Sequence, residues 1–397
     1  MRITPASELT NRYKALQQQM AAAQIDAAVI IQNADLFYFS GSIQQGVLYV
    51  PQEGEPVYLV RKDYGRARME SGLKDVAPLK SLRDVPDLVR DFGLPVAQRI
   101  GFELDVLPTT QFQRWQKLLP AGELVDVSPL IREVRAVKSD YEIGIMKDCA
   151  LIMEKIHQQA KQVIAVGKTD IEVAAELECF ARKEGHQGIM RFRAFNAELY
   201  FGHIFSGADA AVPAYLDAPL GGLGLNPSIG QGASYKRIEK DEPIIIDVMT
   251  AYDGYMVDQT RTMVVGSLDP QLERAYYDML KIQEKLFEIA KPGAIWGEVY
   301  QQCYDLAVEM GYKDHFMGAS GAQVSFIGHG VGLEIDEYPF IARGFKTQQL
   351  KENMTFAFEP KAVYPGLGVV GVENTYRVGS DGLKRLTYSA EDIVELY

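Results

Sequence analysis

Residues 244–262 read IIIDVMTAYDGYMVDQTRT, two β-rich arms around a turn at Tyr252-Asp253-Gly254. If the hairpin loop is even-numbered, Asp247 and Asp258 point to the same face, because cross-strand partners share a face. A three-residue loop would break that parity unless a bulge restored it. Asp247 follows three isoleucines, so its carboxylate stands at the end of a buried strand. Two like charges buried side by side are costly unless a cation lies between them. A second segment, FAFEPKAVYPGLGVVGVENT (356–375), repeats the arrangement, with Glu359 and Glu373 in apolar arms flanking Pro365-Gly366. Between the two lies IGHGVGL (327–333), where Gly328 and Gly330 let the backbone approach closely around His329. Two Asp, two Glu and one His form a set suited to two divalent ions sharing bridging carboxylates and a water.

Outward from these segments, the chain alternates helix and strand signals. Ser139 and Glu142 have capping-box spacing, followed by an apolar stripe of Ile145, Cys149, Ile152, Ile156, Ala160 and Val163. Thr169 and Glu172 open a second helix in the same way, and two more helices are expected near 270–291 and 297–310. Strand-like segments fill 187–265 and 323–379. This order, two helices then strands, occurs twice. A gapless shift of 126 residues sets 153–203 on 279–329 with ten identities in 51 positions, among them Gly202/Gly328 and His203/His329. Roughly three are expected by chance. The same shift carries Asp247 onto Glu373. Towards the N-terminus, Leu9, Tyr13, Leu16 and Met20 recur at helical spacing, AAVII (27–31) reads as a strand, and VLYV and PVYLV flank PQEGE as a hairpin. The expectation is an α+β chain of two domains, 1–136 and 137–397, the first α/β and the second internally duplicated.

Composition narrows the partners. The 397 residues carry 41 Lys+Arg against 53 Asp+Glu, a net charge of −12, and no basic stripe is visible, which argues against a nucleic-acid partner. No apolar run reaches the eighteen or so residues a membrane span needs, and the N-terminus has no apolar signal core. Three scattered cysteines (Cys149, Cys179, Cys303) build neither a disulfide framework nor a zinc spacing. The expected setting is cytoplasmic, without membrane.

At Asp247, Asp258, His329, Glu359 and Glu373 the sequence resembles the pita-bread metallopeptidase family, which includes aminopeptidase P, prolidase, methionine aminopeptidase and the divergent creatinase. ADLFYFSGS (34–42) is similar to a signature of the creatinase/prolidase N-terminal domain, and IREVRAVKSDYEIGIMKDCA (131–150) to the family's linker and first catalytic helix. The resemblance implies that these five residues hold two divalent metal ions, with Mn²⁺ favoured by the oxygen-rich set and Co²⁺, Zn²⁺ or Fe²⁺ as alternatives. It implies a Xaa-Pro-type aminopeptidase or dipeptidase, acting on a peptide or small amide through a metal-activated water with Glu359 as general base, and a homodimer.

Several positions depart from the family pattern. Ala214, in SGADAAVPAY, stands where a substrate-facing His is usual. About thirty residues, including GGLGLNPSIGQG, then precede Asp247. Asp336 stands where a second His is usual, and Gly371 where an Arg is usual. His203 and Asp336 are therefore the candidate substrate contacts, with Asp336 expected to repel a substrate carboxylate. Two other readings stay open: a creatinase-like carbon–nitrogen hydrolase acting on a small non-peptide substrate, and a metal-binding homologue without turnover.

Overall fold

The structure, a computed structural model, describes residues 2–95, 97–196 and 198–397. The chain divides into two compact units, Met1–Arg135 with Arg193–Ala197, and Ala136–Phe192 with Glu198–Tyr397.

The first unit is built on a mixed six-stranded sheet. Its strands are β1 (Ala27–Ile30), β2 (Gly46–Pro51), β3 (Val57–Val60), β4 (Asp75–Pro78), β5 (Arg99–Phe102) and β6 (Glu123–Asp126), in the order β4-β3-β2-β1-β5-β6. All four residues of β1 are buried, which requires cover on both faces. Ala27 and Val29 pack with Val47, Val57, Ile100, Phe102 and Trp115 in one core. The helix Ala6–Ala22 buries Leu9, Tyr13, Leu16 and Met20, the stripe read from the sequence. Within this unit Asp35 is fully buried and accepts hydrogen bonds from Arg135 Nη1 at 2.6 Å and Arg193 Nη1 at 2.5 Å.

The second unit opens with helices Asp140–Val163 and Asp170–Lys183. Both begin with the reciprocal caps expected of them: Glu142 N donates to Ser139 Oγ at 3.2 Å, and Ser139 N to Glu142 Oε2 at 2.8 Å. Then come β7 (Gly202–Ser206), β8 (Ile244–Tyr252) and β9 (Tyr255–Val265). Helices Pro270–Ile289 and Trp296–Glu309 start the second half. It continues as β10 (Phe326–Val331), β11 (Ile335–Ala342), β12 (Thr355–Phe358), β13 (Lys361–Tyr364), β14 (Gly368–Gly371), β15 (Asn374–Val378), β16 (Leu383–Arg385) and β17 (Val394–Leu396). Three sheets result, ordered β17-β9-β8-β7, β11-β10-β12-β15-β16 and β13-β14. The apolar faces of the second helix pair (Tyr276, Met279, Ile282, Trp296, Tyr300, Cys303) pack on Phe356, Phe358 and Tyr376 of β12 and β15.

The doubled order of elements is therefore real, but one step of the gapless alignment is not. His203 and Asp247 are 44 positions apart, whereas His329 and Glu359 are 30 apart. The long segment after β7 uses up the difference. By order along the hairpins, Asp247 corresponds to Glu359 and Asp258 to Glu373, not Asp247 to Glu373.

Candidate metal centre

The β8–β9 hairpin closes through a two-residue loop, since Tyr252 pairs directly with Tyr255. Asp253 and Gly254 both have positive φ, +46° and +92°, the turn type whose twist matches paired strands. The even loop settles the parity question. Asp247 faces Thr260, Met249 faces Asp258, and the two aspartates lie on one face of the sheet. Both are buried.

The two glutamates sit where the chain changes sheets. β12 ends at Phe358 and β13 starts at Lys361, leaving Glu359 at the junction; β14 ends at Gly371 and β15 starts at Asn374, leaving Glu373 at the return junction. Backbone bonds fix both corners, Glu359 N to Ile327 O at 2.9 Å and Glu373 N to Thr260 O at 3.2 Å. Thr260 Oγ1 also donates to Glu373 Oε2 at 2.6 Å. Arg261, 1% exposed, clamps these strands together by donating to the carbonyls of Thr260, Glu373, Ser389 and Ala390 and to Asn374 Oδ1.

All five residues singled out in the sequence converge, and a sixth joins them. Lys361, 1% exposed, places its ammonium among three of them. Its Nζ donates to Glu359 Oε2 at 2.5 Å, to Asp247 Oδ2 at 3.2 Å and to Glu373 Oε2 at 3.2 Å. An ammonium has three N–H donors, so its capacity is filled. Burial opposes ionisation of the amine, but the Asp247, Glu359 and Glu373 charges outweigh it and hold the group well above its usual range. Burial likewise opposes ionisation of Asp247, yet Lys361 and His203 keep its carboxyl well below the usual carboxylate range. Sequence reasoning passed over Lys361, because the strand-parity rule does not carry across the sheet change between Glu359 and Lys361.

On the other side of the cluster, Asp258, His329 and Glu373 offer ligand atoms that all lie within 4.8 Å of one another. His329 Nε2 is 4.0 Å from Asp258 Oδ2 and 3.8 Å from both Glu373 Oε1 and Glu359 Oε1. Two ligands ~2.1 Å from a shared ion stand no more than about 4.2 Å apart, a limit that the three distances from His329 Nε2 meet. Asp258 Oδ1 and Glu373 Oε1 are buried without a hydrogen-bond partner. Burial and then the neighbouring Glu373 and Asp247 charges push the Asp258 carboxyl far up, and burial pushes Glu373 up to about 7. Orphaned buried oxygens with like-charged neighbours fit a divalent cation. The Asp247–Glu359 side differs, because one oxygen of each carboxylate already accepts from the lysine.

His203 is the cross-strand partner of Asp247, with Nδ1 3.8 Å from Asp247 Oδ2 and Nε2 buried without a hydrogen-bond partner. Asp336 is placed differently from the expectation that it faces substrate. Its Oδ1 lies 3.4 Å from His329 Nδ1, the nitrogen opposite the one turned towards Asp258, Glu359 and Glu373. A left-handed backbone at Asp336 (φ +63°) and irregular β10–β11 pairing around Gly330 turn it that way. Gly371 is the direct cross-strand partner of Lys361. A Cβ there would come 2.7 Å from Lys361 Cγ and 2.6 Å from Pro360 O, so the small residue makes room for the lysine stem. Ala214 lies half-buried in the long segment after β7.

Buried carboxylates from two strands and two sheet junctions, gathered with one imidazole between matched halves of an α+β unit, are the donor set of a metallohydrolase. Residues 144–380 match metallopeptidase family M24, and residues 12–137 match the creatinase/prolidase N-terminal domain. The chain belongs to metallopeptidase family M24. A Xaa-Pro dipeptidase of Pyrococcus horikoshii is 28% identical over 388 residues, 97% of this chain and 99% of that protein. Among solved structures, the P. horikoshii prolidase superposes with a TM-score of 0.80 at 28% identity, covering 97% of this chain and 100% of that one. A Xaa-Pro dipeptidase from Bacillus anthracis gives 0.82 at 25% identity, covering 98% and 100%. An X-Pro aminopeptidase from Thermotoga maritima gives 0.79 at 25%, covering 96% and 100%.

Proposed function

We propose that the chain is a metal-dependent peptidase of Xaa-Pro type, cleaving near the N-terminus of short peptides. The observation that carries this reading is the buried group of Asp258, His329 and Glu373, with two orphaned carboxylate oxygens and Glu359 alongside. The names and full-length coverage of the similar proteins support the substrate class. A divalent ion held there would polarise the scissile carbonyl and acidify a water; an oxygen-rich donor set favours manganese.

The remaining chemistry belongs to the chain. Glu359 accepts the proton of the attacking water and returns it to the leaving amine. Burial raises its carboxyl despite Lys361, which moves it towards the pH at which a general base works best. Asp336 acts through His329, holding the imidazole by Nδ1 so that Nε2 faces the carboxylates. His203 offers Nε2 to the substrate carbonyl in the place left by Ala214. Work in the cytoplasm as a homodimer completes the proposal; three free cysteines fit a reducing compartment. The Ala214 departure also favours a second reading, a small non-peptide amide as substrate.

A peptide-library digest with added manganese separates these readings. Release of N-terminal residues ahead of proline supports the first, and turnover confined to non-peptide amides supports the second. Glu359→Gln is expected to lower kcat/KM at least ~10²-fold at unchanged metal content, the usual contribution of a general base. A loss of less than about threefold would assign the proton transfer elsewhere.

A further inference from the structure

The sequence set up a site for two ions, and the structure fills one flank of it with a side chain. We infer that the Lys361 ammonium occupies the position of one of the two metal ions, and that the protein binds a single divalent ion at Asp258, His329 and Glu373. The inference rests on the metallohydrolase reading only in taking that triad to hold an ion.

Three observations carry it. First, Lys361 Nζ lies within 3.2 Å of oxygens from three separate segments, Asp247 on β8, Glu359 before β13 and Glu373 after β14. Those are the oxygens a second ion between Asp247 and Glu359 would need, and two cations cannot share them at such distances. Second, the buried carboxylate oxygens of this cluster left without a hydrogen-bond partner are Asp258 Oδ1 and Glu373 Oε1, whereas Asp247 Oδ2 and Glu359 Oε2 have the lysine. Third, the lysine is built in. It is 1% exposed, and its cross-strand partner is Gly371, where any Cβ would collide with the lysine stem. Four ionised carboxylates with one ammonium and one divalent ion leave a net charge of about −1, while a second ion would leave a buried excess of positive charge.

The division of labour changes accordingly. Glu373 gives Oε2 to the ammonium and would have its partnerless Oε1 free for an ion. Glu359 is held by Oε2 through the lysine and keeps Oε1 towards His329 Nε2. Asp247 serves the ammonium and His203 rather than an ion.

The test uses the full-length protein, stripped by chelator dialysis, re-equilibrated with manganese chloride and freed of unbound metal. Bound manganese is counted by mass spectrometry, and its spin coupling is read by electron paramagnetic resonance. The expected result is about one ion per chain with the uncoupled six-line signal of an isolated ion, lost in Asp258→Asn. Lys361→Ala is expected to raise the count to about two and to give an exchange-coupled spectrum. Two ions in the unaltered protein, none at all, or a folded Lys361→Ala variant that stays at one ion would each overturn the inference. If Lys361→Ala does not fold, the count in the unaltered protein decides alone. Peptide hydrolysis is measured separately. Its absence with one ion bound refutes the proposed activity and leaves this inference standing; its presence with two ions does the reverse.

Discussion

His157 shows what a single buried group costs. It lies on helix Asp140–Val163, 1% exposed, and burial, then the Arg261 charge, push its imidazole down to about 3. Below pH ~6.5 the unfolded chain takes up a proton that the folded chain refuses until about pH 3. Its contribution to stability is therefore undiminished above the unfolded value and falls with acidification through that window, by on the order of 1.4 kcal/mol per pH unit. His157→Leu should flatten the decline of unfolding free energy between pH 7 and 4, measured in urea; curves parallel to the parent's would refute the assignment. Residues of this kind set a limit on what sequence reveals. The five ligand candidates were legible because each sits in or at the end of an apolar arm with a turn or glycine nearby. Lys361 was not, because a lysine in a strand ordinarily points to water, and only burial and the opposing Gly371 show this one pointing in. Asp336 was visible as a departure, but its direction depends on a left-handed backbone that the sequence does not announce.

Elements were easier to read than their junctions. Capping boxes at Ser139 and Thr169 start their helices where expected, since each hydroxyl and carboxylate satisfies a backbone donor that would otherwise be free. Removing one side of such a pair, as in Ser139→Ala, should cost about 1 kcal/mol in urea unfolding. The Asp253-Gly254 turn was legible too, and it carries more. Gly254→Val forces a β-branched residue to a φ of +92°, at a cost of roughly 1–2 kcal/mol or more. If the strained loop shifts register by one residue, Asp247 and Asp258 move to opposite faces. Stability should fall and manganese binding should weaken together; lowered stability with unchanged metal affinity would separate the turn from the site. The sheet changes at Glu359-Pro360 and Val372-Glu373 escaped the sequence, because continuous apolar arms look alike whether they stay in one sheet or cross between two.

At the scale of the whole molecule, the duplicated order of elements brings one candidate ligand from the first half, Asp258, against two from the second, His329 and Glu373. An ion held there would link the halves and would bind the folded chain alone, since only folding brings the three residues together. Manganese at 100 times its dissociation constant should stabilise the protein by about 2.7 kcal/mol, seen as a rise in Tm that Asp258→Asn abolishes. An equal rise in the variant would place the responsible ion elsewhere. The gapless repeat found in the sequence held through the helices and as far as His329, then failed at the long segment after β7, because insertions accumulate in connections rather than in packed elements.

The three hydrogen bonds of Lys361 also make one counterion of the site a part of the chain itself. Four acids converge as the second unit folds, and an ammonium that travels with the chain arrives among them at the same moment. No uptake system has to deliver it, and no chelator can remove it. The chain thus carries its own counterion, tethered by a covalent stem among the acids it neutralises.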